Sequence, residues 1–245
     1  MNTPTHAMKA EFEHLHGFWS DQLERALEEA PDFFGSYLCM ARVALGAGHL
    51  EPKLCDFVML AASASVTHLN AEAVGLHIQG AMRHGATRAE IAEVLQISSV
   101  LGIHAYMTGV PVLLDELSKS GTPVDTAFPL GEKFERVKAD FTKNRGYWSD
   151  ELQSMVRTSP EFFDGYTAFS SQPWKTGPLP PMVKELLYVA IDVDTTHLFE
   201  PGIRIHVRNA LRHGATPAQI LQVMQITSCL GMQSFLLGIN HMPRG

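Results

Sequence analysis

The sequence consists of two consecutive copies of one unit. Residues 83–87 (RHGAT) recur unchanged as residues 212–216. When residues 9–112 are aligned with residues 138–241 at a constant offset of 129, no gap is needed and 35 of the 104 aligned positions are identical. A repeat of this length is a duplicated domain-sized unit and not a solenoid repeat. A residue type that is kept in both copies met the same local requirement twice. Comparing the two copies therefore points to positions where the residue type matters.

Helical periodicity dominates both copies, and strand signals are scarce. Residues 52–65 and 182–191 are apolar almost all round, so they predict helices that are buried on most sides. A break follows each of them, and a second helix follows the break, starting near Glu200 in the second copy. These patterns predict an all-α fold. The apolar stripe predicted for the second helix comprises Val74, Ile78, Ala81 and Met82 in the first copy and Ile203, Val207, Ala210 and Leu211 in the second.

The ends of these helices carry clear stop and start signals. His84-Gly85 and His213-Gly214 place histidine in the last turn and glycine at the stop, so both histidines are interpreted as helix caps. The segments 87–90 and 216–219 then have the form of capping boxes. Gly102 and Gly231 are predicted to end or kink the helices that follow.

Turn-forming residues are concentrated in one segment, residues 118–131. The sequence therefore predicts a first repeat over residues 1–117, a linker over 118–131 and a second repeat over 132–245. Each repeat is small and presents fully apolar helices, so the two are expected to pack together.

Composition excludes several classes of function. The net charge is −7 without a basic stripe, which argues against nucleic acid as a partner. We find no signal peptide, and we expect no membrane span and a cytoplasmic location. The cysteines Cys39, Cys55 and Cys229 lack Cys-x-x-Cys spacing, and none is kept in both copies. They are therefore interpreted as ordinary thiols in a reducing compartment.

Three pairs of polar residues recur in both copies where the surroundings are apolar. A histidine lies within the second helix, a carboxylate within the buried helix, and another histidine in the break between them. Histidine exchanges protons near neutral pH, and a buried carboxylate needs a partner. The alternatives are core histidines, carboxylates at solvated helix starts, and a metal site. The pairs are His77 and His206, Asp56 and Glu185, and His68 and His197.

Further candidates are polar or aromatic residues near these pairs. Gln96 and Gln225 recur in the middle of a helix, where an amide can bond a buried histidine or a ligand carbonyl. Other positions differ between the copies: Tyr106 corresponds to Phe235, and Phe199 corresponds to Asn70. The predicted substrate-binding residues are Gln96, Gln225, Phe199 and Tyr106. One active and one degenerate site is a possible outcome of these differences.

Residues 205–216 (IHVRNALRHGAT), followed by residues 220–223, resemble the signature of the carboxymuconolactone decarboxylase family, and residues 77–87 resemble it more loosely. That family belongs to the superfamily of AhpD-like alkylhydroperoxidases. The resemblance implies an AhpD-like helical fold in two tandem copies related by pseudo-two-fold symmetry. It also implies that His77 and His206 are active-site histidines and that Asp56 and Glu185 occupy the acidic position. A homotrimer that mimics a hexamer is the implied assembly.

The chain departs from the peroxidases of that superfamily, which carry Cys-x-x-Cys-x-x-x-His. The two cysteine positions hold Phe199 and Gly202 in the second copy, and Asn70 and Ala73 in the first. Since thiolate is the nucleophile in that chemistry, peroxidase activity is disfavoured. The favoured hypothesis is a cofactor-independent lyase or isomerase, without a metal, acting on a small carboxylated lactone or keto acid. An AhpD-like antioxidant protein and a non-catalytic small-molecule binder remain alternatives.

Overall fold

The computed structural model describes residues 3–122 and 131–243, and every regular element within them is helical. The all-α prediction is confirmed. The first copy contributes α1 (Thr3–His16), α2 (Asp21–Glu29), α3 (Pro31–Gly46), α4 (Pro52–Ala64), α5 (Ala71–Arg83), α6 (Arg88–Ser99) and α7 (Ile103–Lys119). The second contributes α8 (Glu132–Arg145), α9 (Asp150–Thr158), α10 (Pro160–Thr176), α11 (Pro181–Val193), α12 (Glu200–Arg212), α13 (Pro217–Ser228) and α14 (Met232–His241).

The helix boundaries repeat with the sequence. Helices α8, α9, α11, α12 and α13 begin and end 129 residues after α1, α2, α4, α5 and α6. The predicted caps are present: the Thr216 hydroxyl accepts from the Gln219 amide, and Thr87 and Glu90 form the same box before α6. A short 3₁₀ turn ending at Gly102 or Gly231 precedes the last helix of each copy. Of the predicted linker, residues 123–130 lie outside the described residues.

Helices α5 and α12 bury a face that matches the predicted one only in part. Ala81 and Ala210 are buried, but Met82 and Leu211 are about half exposed. The buried face runs through the histidine of each helix and its small neighbours, because small residues allow the facing helix to approach closely. These buried residues are Ala73, His77, Gly80 and Ala81 on α5 and Gly202, His206, Asn209 and Ala210 on α12.

The compact units of the structure do not follow the repeat boundaries. One unit comprises residues up to 98 and residues from 179 onward, and the other comprises residues 99–178. In the first unit α14 packs against α2, and in the second α7 packs against α9. The last helix of each repeat therefore packs on the second helix of the other repeat. The repeat boundaries of the sequence therefore differ from the boundaries of the compact units, because each repeat contributes its last helix to the packing of the other repeat.

Two buried polar residues brace the first unit. The side chain of Gln222 on α13 accepts from the amides of His49 and Leu50 at 3.0 and 2.9 Å and donates to the Ala44 carbonyl. Its counterpart Glu93 on α6 accepts from the Leu179 amide at 2.7 Å. Each side chain thus fixes the loop that leads into α4 or α11 of the other repeat.

Two continuous helical stretches, residues 88–120 and 217–241, are long and apolar enough to cross a membrane. Of their most apolar windows, 39% and 44% is buried inside the protein. Core helices of soluble proteins meet the same criterion, so length and composition alone do not assign these stretches to a membrane. The absence of a membrane partner stays a prediction.

Candidate functional site

The second copy brings a histidine and a carboxylate together in the interior. Nδ1 of His206 on α12 lies 2.6 Å from Oε2 of Glu185 on α11, and both side chains are almost fully buried. Asn209, one turn further along α12, donates to the other oxygen of Glu185 at 3.3 Å. The Tyr188 ring stacks on the imidazole with centroids 4.5 Å apart. The stacked Tyr188 ring therefore fixes the plane of the His206 imidazole, and the hydrogen bond to Glu185 fixes its rotation within that plane.

A second carboxyl group, Asp192, approaches the same imidazole. Its Oδ2 lies 3.9 Å from Nε2 of His206, and its Oδ1 lies 3.9 Å from Nε2 of His197. The pKa of Asp192 is raised to about 7, mainly by burial; His206 opposes this shift, and the nearby negative charge of Glu185 adds to it. Near neutral pH this carboxyl group can both hold and release a proton.

Glycine at position 202 makes room for this carboxyl group. A Cβ atom at Gly202 would lie 2.2 Å from Oδ2 of Asp192 and 2.8 Å from a ring carbon of Phe199. Any side chain at this position would displace Asp192. Position 202 is also one of the two cysteine positions of the peroxidase motif, so a carboxyl group occupies the space that a thiol would need.

The first copy does not assemble the same group. Oδ2 of Asp56 on α4 bonds Nδ1 of His84 at 2.7 Å, whereas Nδ1 of His77 is 4.0 Å from Oδ1 and has no hydrogen-bond partner among the described residues. Asp56 lies close against α5, since a Cβ at Gly80 would be 2.5 Å from it. His84 is at the end of α5 as predicted, and its side chain binds the carboxylate of Asp56.

His68 and His197 also have different partners. Nδ1 of His68 lies 3.1 Å from Asp194, and Nε2 lies 2.8 Å from the side-chain oxygen of Gln233. The hydrogen bond to Asp194 raises the pKa of His68. Burial lowers the pKa of His197, although Asp194 opposes this shift. The identical histidines of the two repeats therefore favour opposite protonation states.

The breaks that carry these histidines share an unusual backbone. Leu69 and Leu198 have φ angles of 48° and 49°, in the left-handed region that non-glycine residues rarely adopt. Both leucine side chains are exposed. The turn lets the next amides, of Asn70 and Phe199, bond the carbonyls of Ser63 and Asp192. It thereby ties each break back to the end of the buried helix.

The predicted substrate-binding residues differ in exposure and in their contacts. Gln96 is exposed and Gln225 is half-buried. The hydroxyl of Tyr106 bonds that of Thr158 at 2.9 Å. Among these four, Phe199 stacks on a candidate histidine, His197, with centroids 5.6 Å apart.

Sequence reasoning missed the residues that distinguish the two copies. Asp192, Asp194 and Asn209 correspond to Ser63, Ser65 and Gly80 in the first copy. A search limited to residue types that both copies share leaves out all three of these residues. The available signal was the presence of charged or amide residues in an otherwise apolar stretch of α11, at its C-terminal end and on the buried face of α12.

The thiols lack the environment of a redox centre. Burial raises the pKa of Cys55 to about 12 and that of Cys229 to about 11. Cys39 is exposed, and all three are free. The raised pKa values of Cys55 and Cys229 oppose thiolate formation, as in ordinary buried cysteines.

Comparison with known proteins identifies the lineage of the chain. The sequence profile of the carboxymuconolactone decarboxylase family matches residues 31–113 and again residues 160–232. The chain belongs to this family. A crystal structure from Burkholderia xenovorans LB400 with the provisional name gamma-carboxymuconolactone decarboxylase subunit is 40% identical over 96% of this chain and 94% of its own, with a TM-score of 0.93. A search of curated proteins finds no match. The AhpD-like fold in two tandem copies is thus confirmed.

Proposed function

We propose that the chain is a cofactor-independent lyase or isomerase that acts on a small carboxylated lactone or keto acid. Within this class we favour a decarboxylase. The observation that carries this proposal is His206, buried between Glu185 at 2.6 Å and Asp192 at 3.9 Å. The family and the provisional name of the Burkholderia protein indicate the reaction class.

The chemistry needs a stabilised negative charge and a proton donor. When the bond to CO₂ breaks next to a carbonyl group, its electron pair forms an enolate, which is then protonated on carbon. Glu185 accepts the Nδ1 proton of His206 and so directs Nε2 as the atom that delivers a proton. Asp192, with its raised pKa, returns a proton to Nε2. His197, whose pKa is lowered, donates a hydrogen bond to the developing oxyanion.

The antioxidant alternative requires a thiolate beside the histidine. Position 202 is glycine, and Asp192 fills the adjoining space. Two of the three cysteines have raised pKa values, which oppose thiolate formation. Acid–base chemistry therefore fits these residues better than thiol chemistry.

The test is CO₂ release and deuterium incorporation from D₂O with a panel of carboxylated lactones and β-keto acids. His206→Asn should lower the rate by about 10²–10⁴ with the fold retained, the scale of general acid–base catalysis. His213→Asn makes the same change at the exposed end of the same helix and should leave the rate within a few-fold. Undiminished turnover by His206→Asn rejects the proposal. Hydroperoxide turnover by the folded wild type would favour the antioxidant alternative. Binding of the panel compounds without turnover would favour a non-catalytic small-molecule binder.

A further inference from the structure

A buried ion pair that the proposed mechanism does not use joins α6 to α11. Nζ of Lys184 lies 2.7 Å from Oε1 of Glu93, and the two side chains are only 4% and 1% exposed. The other oxygen of Glu93 accepts from the Leu179 amide at 2.7 Å. Glu93 therefore holds both the loop before α11 and the first turn of α11. Lys184 directly precedes Glu185, the hydrogen-bond partner of His206.

Lys184 supplies a fixed positive charge to this interior. Among the described residues of the first compact unit, it is the single buried Lys or Arg. Several carboxyl groups are buried in the same unit, and all of them except Glu93 lie beside histidines. These carboxyl groups are Asp56, Glu93, Glu185, Asp192 and Asp194. Removing either member of the Glu93–Lys184 pair would leave the other as a buried charge without its ion-pair partner, which is costly.

The pseudo-symmetric counterpart of this pair is uncharged. Glu93 corresponds to Gln222, and Lys184 corresponds to Cys55. Gln222 braces the loop before α4 through neutral hydrogen bonds, as Glu93 braces the loop before α11. Replacing a buried ion pair by neutral side chains of similar volume often costs no stability. Bracing a loop therefore does not require the charges, which occur beside α11 and not beside α4.

Lys184 begins a row of side chains on α11 that leads to the His206 site. Residues four apart are neighbours on a helix surface, so the row continues through Tyr188 to Asp192. The Tyr188 ring stacks on His206, and Asp192 approaches Nε2 of the same imidazole at 3.9 Å. Glu185 is within about 20° of Asp192 around the helix axis, at 3.6 residues per turn. The matching row on α4 comprises Cys55, Met59 and Ser63. Fixing Lys184 therefore fixes the side of α11 that faces His206.

We propose that Lys184, held by Glu93, is a positioning residue of the His206 site: their ion pair fixes the rotation of α11 about its axis, and thereby the side chains that hold the imidazole. This role rests on the proposed function, because the reaction is what the positioning serves. It also affects the hydrogen bond between Glu185 and His206, which can be measured in a protein without turnover.

Glu93→Gln is the first test, because it copies Gln222 and can still accept from the Leu179 amide. It should lower kcat at least about 10-fold and leave KM within about 3-fold, since small displacements of catalytic groups act on the chemical step. Lys184→Met keeps most of the side-chain length and should have the same effect. Gln222→Leu is the control: it breaks the counterpart brace and loses stability, but it should leave kcat within a few-fold.

The pH profile of turnover distinguishes this role from a merely structural one. An added buried cation lowers the pKa of Asp192, which is about 7, and an added anion raises it. Glu93→Gln should therefore shift the profile to lower pH and Lys184→Met to higher pH. The double variant adds no net charge and should restore the profile but not the rate, because α11 is still unanchored. Unshifted profiles, or a rate restored in the double variant, overturn the proposal.

The proton on Nδ1 of His206 gives a readout without turnover. In protein with isotope-labelled histidine, a proton in a bond of 2.6 Å should resonate far downfield, and its loss in His206→Asn identifies the signal. Glu93→Gln and Lys184→Met should shift or broaden this signal, whereas Gln222→Leu should leave it in place. A signal unchanged in both variants rejects the positioning role, whether or not the chain is a lyase. A signal that responds in both, in a chain inactive on the whole panel, supports the positioning role and rejects the proposed function alone.

Discussion

Individual side chains of the second repeat are adjusted to one another around His206. Glu185 is one methylene longer than Asp56 and reaches the imidazole, while Asn209 replaces Gly80 and bonds the same carboxylate. Asp192 replaces Ser63, and Gly202 replaces Ala73 to make room for it. Glu185 and Asn209 form one complementary pair, and Asp192 and Gly202 form another. A substitution of one member of a pair should therefore displace the other member.

Gly202→Ala tests this complementarity. The added Cβ would overlap Asp192, so we expect a loss of about 1–3 kcal/mol in the free energy of unfolding, together with reduced turnover. Gly231→Ala is the control, because its φ of −54° is helical and no atom lies within 4 Å of the added carbon. Urea denaturation of both variants measures the difference. Equal stability of the two would mean that Asp192 is not held against position 202.

Asp192 should make stability depend on pH. Its pKa in the folded protein, about 7, is above the ordinary 3.8, so the folded state keeps a proton that the unfolded state has lost. Stability is therefore lost as pH rises from about 4 to about 7, by roughly 1–4 kcal/mol.

Denaturation at pH 5 and pH 8 checks this expectation. Asp192→Asn should gain stability relative to the wild type, and the gain should be larger at pH 8. Asp194→Asn should instead lose stability at pH 5, because Asp194 is the charged partner of His68 and its pKa is lowered. Parallel pH profiles for Asp192→Asn and the wild type would contradict the raised pKa.

At the scale of elements, α6 and α13 act as braces for the opposite repeat. Gln222→Leu removes three hydrogen bonds to the 44–50 segment and leaves two amides and a carbonyl without partners, which should cost about 1–3 kcal/mol. Gln96→Leu, on the exposed face of α6, should change stability by less than about 0.5 kcal/mol. Thermal denaturation distinguishes them, and similar losses would show that the brace is unimportant.

At the scale of the whole molecule, we propose a homotrimer in the cytoplasm, as implied by the family resemblance. Several large apolar side chains are exposed on the described surface, including Phe33, Phe162 and Phe169. Light scattering coupled to gel filtration should give three times the chain mass of 27.0 kDa. A monomeric mass at micromolar concentration would reject the trimer.

Most of the helical framework could be predicted from the sequence because its signals are local. The capping boxes, the glycines after His84 and His213, and the constant offset of 129 predicted helix boundaries that the structure confirms. The buried face of α5 and α12 was predicted correctly only in part: Ala81 and Ala210 are buried as predicted, whereas Met82 and Leu211 are about half exposed. Apolar periodicity pointed to Val74 and Ile203, whereas close packing selected the small residues beside each histidine.

The sequence by itself determined the duplication, the all-α class and the family, since these depend on periodicity and on motifs read along the chain. Only the tertiary structure decided which carboxylate meets which histidine. That choice depends on one methylene in Glu185, on the space at Gly202, and on partners such as Asp194 and Gln233 that come from the other repeat. Two repeats with the same histidines therefore hold different sites, because hydrogen bonds form across distances that only packing sets.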